Sequence, residues 1–152
     1  AEFFYEEFSL AGWYMSDQKN NFNIQKQTLE SKWGKEALSM GWSAIPTSLF
    51  FLQGALNMTP TTFNVLLHLI IHWWKPYDWP HPSQESIAVR MGVSSRTVQR
   101  SLQELENYGL LTKIRTSKDN PKYKGRNIYD MSLLVKSLNI LTPDLNAKLN
   151  EK

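Results

Sequence analysis

Three histidines are the first side chains in this 152-residue sequence whose spacing could support chemistry. His68 and His72 stand four apart, the interval that sets two imidazoles on one face of a helix, as a zinc site needs. Such a site also needs a third ligand and a carboxylate base to work on a metal-bound water. No Glu follows His68, and His81 lies across the proline-rich run from Tyr77 to Pro82. The pair therefore reads as ordinary helix-face histidines. No Ser-His-Asp pattern, glycine-rich phosphate loop or paired carboxylates occur elsewhere, and there is no cysteine to act as nucleophile, ligand or disulfide partner. The expectation is a chain without catalysis, metal or cofactor, and no small-molecule ligand is inferred.

A second constellation is denser. Between Ser95 and Asn107, taken as a helix at about 100° per residue, Val98, Leu102 and Leu105 fall within about 60° of one another and define an apolar side. Arg96, Arg100, Gln103 and Asn107 fall opposite, with Ser95, Thr97 and Gln99 beside them toward the amino end. Arginine pairs with two acceptors on the edge of guanine, and Gln or Asn pairs with adenine. A helix amino terminus adds free amides and a positive dipole that suit phosphate. The outward side of this helix thus carries the groups that read base edges in a DNA groove.

The distribution of charge agrees. Residues 1–48 hold four Lys against six acids, whereas residues 83–131 hold nine cations against five acids. Arg90 to Arg100 contains no acid, and Lys113 to Arg126 contains only Asp119. Two basic clusters flank one helix, although charge counts alone fit a solvated surface equally well.

The elements that must position these groups follow from local signals. Residues 15–40 carry Ile24, Leu29, Trp33, Ala37 and Leu38 at loose helical spacing, and Leu49 to Leu56 reads as a short helix closed near Asn57. Thr59 followed by Pro60 is a strong helix start, and Phe63, Leu66, Leu67, Ile70, Ile71 and Trp74 place the core face of a helix ending near Trp74. Tyr77 to Pro82 permits only an edge piece or turn. Ser83 caps a helix from Gln84 to Met91, Gly92 stops it, and Ser94 caps the next, which Gly109 ends. Leu111 to Thr116 and Asn127 to Met131 form a hairpin with a long basic tip. Ser132 to Ile140 and Pro143 to Leu149 read as helical.

The run Gln84 to Val98, QESIAVRMGVSSRTV, resembles a bacterial helix-turn-helix: Ala88 where the helices touch, Gly92 in the turn, and Ile87, Met91, Val93 and Val98 between helices. Its continuation through Leu111 to the basic hairpin ending Asn127-Ile128-Tyr129-Asp130 is similar to the winged form, found in small bacterial and phage transcription regulators and in plasmid or phage replication initiators. The resemblance covers Ile45 to Leu138. Ser101 departs from it, since an apolar residue is usual there, and Leu102 takes over that place.

The expected fold is mainly α with a small β-hairpin, a winged helix-turn-helix at 41–138 between an N-terminal extension, 1–40, and a C-terminal tail, 139–152. The resemblance implies that hairpin cations Lys118, Lys122, Lys124 and Arg126 lie along phosphates or dip into a minor groove. Ser95, Arg96, Thr97, Gln99, Arg100 and Gln103 are expected to read bases, and Ser83, Arg90, Ser94, Asn107, Lys113 and Arg115 to hold the backbone with those four cations. The expected partner is double-stranded DNA, the expected role transcriptional regulation, and the expected assembly a homodimer built from the apolar residues of 24–38 and 133–149. A replication initiator at origin DNA is the alternative. A winged module that binds only proteins is a second one, and such a copy would be expected to lose its outward Arg and Gln. Trp73, Trp74, Tyr77 and Trp79 could stack on unpaired bases, but core and wing-root packing is the plainer reading.

No targeting signal is expected. Ala1 to Tyr14 holds Glu2, Glu6 and Glu7 and no cation, unlike a signal peptide. Met15-Ser16-Asp17 reads as a natural start, so Ala1 to Tyr14 is expected to be an added segment. The apolar run Phe63 to Trp74 falls short of the roughly 20 residues that span a bilayer. A soluble, cytoplasmic protein is expected.

Overall fold

A computed structural model describes the backbone of residues 2–151 and the side chains of residues 18–151. The reading of Ala1 to Tyr14 as an added segment lies outside the described side chains. The chain divides into two compact units, residues 1–42 and 43–152.

In the first unit, helix α1 runs Glu2–Trp33. Gly34 stops it in the left-handed region, φ 84°, with its amide donating to the Glu30 carbonyl at 2.8 Å. Ala37 and Leu38, expected on this helix, lie instead in the turns beyond it. Phe22 and Trp42 stack with centroids 6.0 Å apart.

The second unit begins with the short helix α2, Leu49–Ala55, after which Asn57 reverses the chain at φ 52°. Helix α3, Pro60–Ile71, starts as its residues dictate. Pro60 occupies the first turn, where no amide is needed, and the Thr59 hydroxyl accepts from the Thr62 amide at 3.2 Å.

The buried face of α3 is Thr62, Phe63, Val65, Leu66 and Leu69. This differs from the expected stripe, because residues 65–71 are apolar on nearly every side and periodicity alone cannot choose an arc. Packing against α5 chooses it, leaving Leu67 and Ile70 half-buried and Trp74 86% exposed. The helix also ends three residues before Trp74. The His72 and Trp73 amides already bond in the tighter i−3 pattern, and Lys75-Pro76 prevents continuation.

Helix α4, Gln84–Met91, and helix α5, Ser95–Asn107, are separated only by Gly92, Val93 and Ser94. Gly92, at φ 68°, supplies the left-handed residue that turns the chain, and the Val93 amide closes the end of α4 on the Ala88 carbonyl at 3.0 Å. The Ser83 and Ser94 hydroxyls accept from Ser86 and Thr97 amides, each at 3.1 Å. Helix α5 packs on both α3 and α4 through Val98, Leu102 and Leu105. Each such fully buried side chain contributes roughly 1.5 to 3 kcal/mol.

Strands β1, Thr112–Ile114, and β2, Ile128–Asp130, pair antiparallel with Lys113 opposite Tyr129. The amide of Tyr129 points away from β1 and donates to the Pro80 carbonyl at 2.9 Å, so the proline-rich segment lies along the free edge of β2. Proline suits that place because it offers an acceptor and demands no donor.

Helix α6, Ser132–Asn150, is continuous through Pro143, where a break had been expected. The proline removes only the amide that would bond the carbonyl of Asn139, an exposed residue. The expected division at 138/139 falls inside this helix, and Leu141 packs on the core. Among the described residues no helix is long and apolar enough to cross a membrane.

Candidate nucleic-acid interface

The carboxyl side of the α4–α5 turn decides what α5 can present. Val98, Ser101, Leu102 and Leu105 are buried, which rotates Ser95, Arg96, Gln99, Arg100 and Gln103 outward into solvent. Neither Arg96 nor Arg100 takes part in an ion pair among the described residues. Thr97 is half-buried, and its hydroxyl lies 3.0 Å from that of Ser94. Gln103 donates to the Asn107 carboxamide oxygen at 3.1 Å, one helical turn along, which orients both amides on the outer face.

Ser101, the departure noted in the sequence, has a local cause. It faces α3, where the Thr62 hydroxyl lies 3.3 Å from its own and donates to the Glu104 carboxylate. Thr59 donates in turn to Thr62 at 3.1 Å. The seam between α3 and α5 thus carries a small polar network that an apolar residue at 101 could not join. A buried hydroxyl is tolerated because it is bonded.

The wing tip, residues 115–127, is tightly braced. The Asn120 carboxamide oxygen accepts from the amides of Lys122 and Tyr123, both at 2.9 Å, and its carbonyl accepts from Lys124 at 2.9 Å. Arg126 donates from Nε to the Tyr123 carbonyl at 3.0 Å and from Nη2 to the Lys122 carbonyl at 3.1 Å. Thr116 donates to the Arg126 carbonyl at 2.7 Å. Gly125, at φ 80°, passes so close to Lys118 that a Cβ there would meet its Cγ at 3.1 Å.

Tyr123 stands edge-on to His81 with centroids 5.0 Å apart, fixing the tip to the proline-rich segment. Burial holds His81 below its ordinary pKa, the neighbouring Arg126 and Lys122 lower it further, and Asp78 opposes them. Lys122 is held above its ordinary value by Tyr123 and Asp78, and its ammonium lies 3.8 Å from Asp78.

These contacts sort the expected backbone residues. Arg115, Lys118, Lys122 and Lys124 are exposed at the wing. Two others, also expected on the backbone, have partners within the fold. Lys113 is half-buried against Glu106 at 3.6 Å, and the Arg126 guanidinium closes the tip. Arg90 donates to His72 Nε2 at 3.0 Å, keeping its other N–H groups. Ser83 and Ser94 serve as caps, and Asn107 accepts from Gln103.

The histidines also have definite roles. Nδ1 of His68 donates to the Asn64 carbonyl at 2.8 Å and Nδ1 of His72 to the His68 carbonyl at 2.7 Å, so His72 Nε2 is the acceptor for Arg90. The four aromatics divide. Trp73 and Trp79 pack together with centroids 5.3 Å apart, while Trp74 and Tyr77 are exposed. Asn120, Tyr123 and His81, which shape the tip, were missed by the sequence reading. An Asn beginning a polar turn ahead of Pro121 is a signal that could have found the first of them.

Two helices in a tight turn, a third helix packed behind them and a braced antiparallel hairpin make this a winged helix-turn-helix. Residues 56–111 match the family model described as a helix-turn-helix domain. No curated protein matches the sequence. Among solved structures, the chain is similar to the transcriptional regulator PA3341 at 19% identity, covering 84% of this chain and 80% of that one with a TM-score of 0.41. It is also similar to a possible transcriptional regulator from Methanosarcina mazei Go1, at 20% identity over 66% of this chain and 83% of that one, again with a TM-score of 0.41.

Proposed function

We propose that this protein binds double-stranded DNA in a sequence-dependent manner and regulates transcription. Helix α5 enters a major groove, where Arg96, Gln99, Arg100 and Gln103 read base edges, with Ser95 and Thr97 beside them. The wing lies on adjacent phosphates through Arg115, Lys118, Lys122 and Lys124. The observation that carries this reading is the outward side of α5, which keeps two guanidiniums free of ion pairs among the described residues. A winged module specialised for proteins would be expected to lose such a face.

Specific recognition by one module covers few base pairs, so two copies about one helical turn apart are expected. Exposed Phe22, Ile24 and Trp33 on α1 and Leu133, Val135, Ile140 and Leu149 on α6 offer the apolar surface for a homodimer. Selection of bound duplexes from a random pool, followed by gel shifts across a salt series, tests the proposal. A recovered motif beside promoters supports regulation, and tandem repeats at an origin would reassign the protein to replication. Absence of binding to any duplex at low salt would overturn DNA binding altogether.

A further inference from the structure

The turn Lys75–Asp78 is closed by a backbone bridge, with the Asp78 amide donating to the Lys75 carbonyl at 3.1 Å. Pro76 fixes the first central position, and Tyr77 stands at the second. Tyr77 is 97% exposed. A single exposed aromatic is unremarkable by itself, but this one stands on a turn fastened to the wing. Lys122 of the wing tip lies 3.8 Å from Asp78, and Tyr123 packs against His81 three residues further on. The one acid of the turn, Asp78, therefore faces the wing, and Lys75 is exposed at the start of the same turn.

We propose that this turn is a second finger of the same interface, in which the Lys75 ammonium and the Tyr77 hydroxyl bind phosphates of the duplex just beyond those held by the wing. The inference rests on the DNA-binding reading above and extends its footprint. Lysine and tyrosine are common donors to the phosphate backbone, where they fix register without reading sequence. Fastening to a braced wing supplies the rigidity that such contacts need. Trp74 does not share this role as a donor, because its indole N–H is spent on the Ile71 carbonyl.

The test uses the full chain and the selected DNA motif in two duplexes, one trimmed to the span of α5 and the wing and one extended on the wing side. Lys75→Gln should reduce the salt slope on the extended duplex by about one unit, since one phosphate contact is lost. Tyr77→Phe should weaken binding to it by about threefold to tenfold, the range of one lost hydrogen bond. Both variants should bind the trimmed duplex like wild type, and hydroxyl-radical protection should shrink on the wing flank. Arg96→Ala serves as the control for base reading.

If Arg96→Ala loses the site while Lys75→Gln and Tyr77→Phe bind the extended duplex as wild type does, the finger is overturned and DNA binding stands. Equal weakening on both duplexes also overturns it, because the effect then does not arise from flanking phosphate. If folded wild type binds no duplex at low salt, both readings fall. An interaction of the turn with protein instead of DNA would show as the first of these results.

Discussion

At the level of single residues, the outer face of α5 makes the sharpest demand. Replacing Arg96 or Arg100 by Ala should weaken the specific site by about 1 to 3 kcal/mol while changing nonspecific binding far less. Competition gel shifts against random duplex read that difference directly. His81 makes a second demand. Its folded pKa lies below the ordinary histidine value of 6.5, chiefly through burial, so the native wing favours the neutral ring. The unfolded chain takes up a proton first as pH falls. The stabilising contribution is therefore complete above about pH 6.5 and is lost below it, down through the lowered folded value. Thermal melts at pH 7.5 and 5.5 should show a larger fall in Tm for wild type than for His81→Gln. Thr62 is the third case. Thr62→Val removes the hydroxyl shared with Thr59, Ser101 and Glu104 from a site 1% exposed, at about 1 to 3 kcal/mol by urea denaturation.

Elements show where sequence signals are strong and where they fade. The α4–turn–α5 unit was legible because each boundary is fixed by a local device: Ser83, Gly92 and Ser94 act through bonds to residues no more than four or five positions away. Ser94→Ala should accordingly cost about 1 kcal/mol in a denaturant titration, as loss of a cap does elsewhere. The outward face of α5 was legible for the same reason, since 3.6-residue periodicity is unambiguous when Val98, Leu102 and Leu105 alternate with polar residues. The arc of α3 was not, because apolar residues surround it and only the neighbour α5 selects Val65 and Leu69. Nor could spacing reveal that Lys113 meets Glu106, or that Arg126 folds back on carbonyls of its own loop. Both depend on how a long connection closes. The wing cations left exposed should each contribute about one unit to the salt slope, measurable with Lys118→Gln, Lys122→Gln and Lys124→Gln.

For the whole molecule, charge and division matter more than any one contact. With about six phosphates neutralised, log affinity should fall with log salt at a slope near −5, so affinities are comparable only at stated ionic strength. The second unit, residues 43–152, holds the entire buried core of the described side chains, and that fragment alone should unfold cooperatively in urea. Sedimentation of the full chain at tens of micromolar checks the homodimer, and a monomer there would remove it.

The bracing of residues 115–127 has a thermodynamic corollary. A loop already closed on Asn120 and Arg126 surrenders little freedom when a polyanion arrives. Docking should resemble the meeting of two finished surfaces, with a modest heat-capacity change at the wing and none of the large negative value that accompanies a segment folding onto its target.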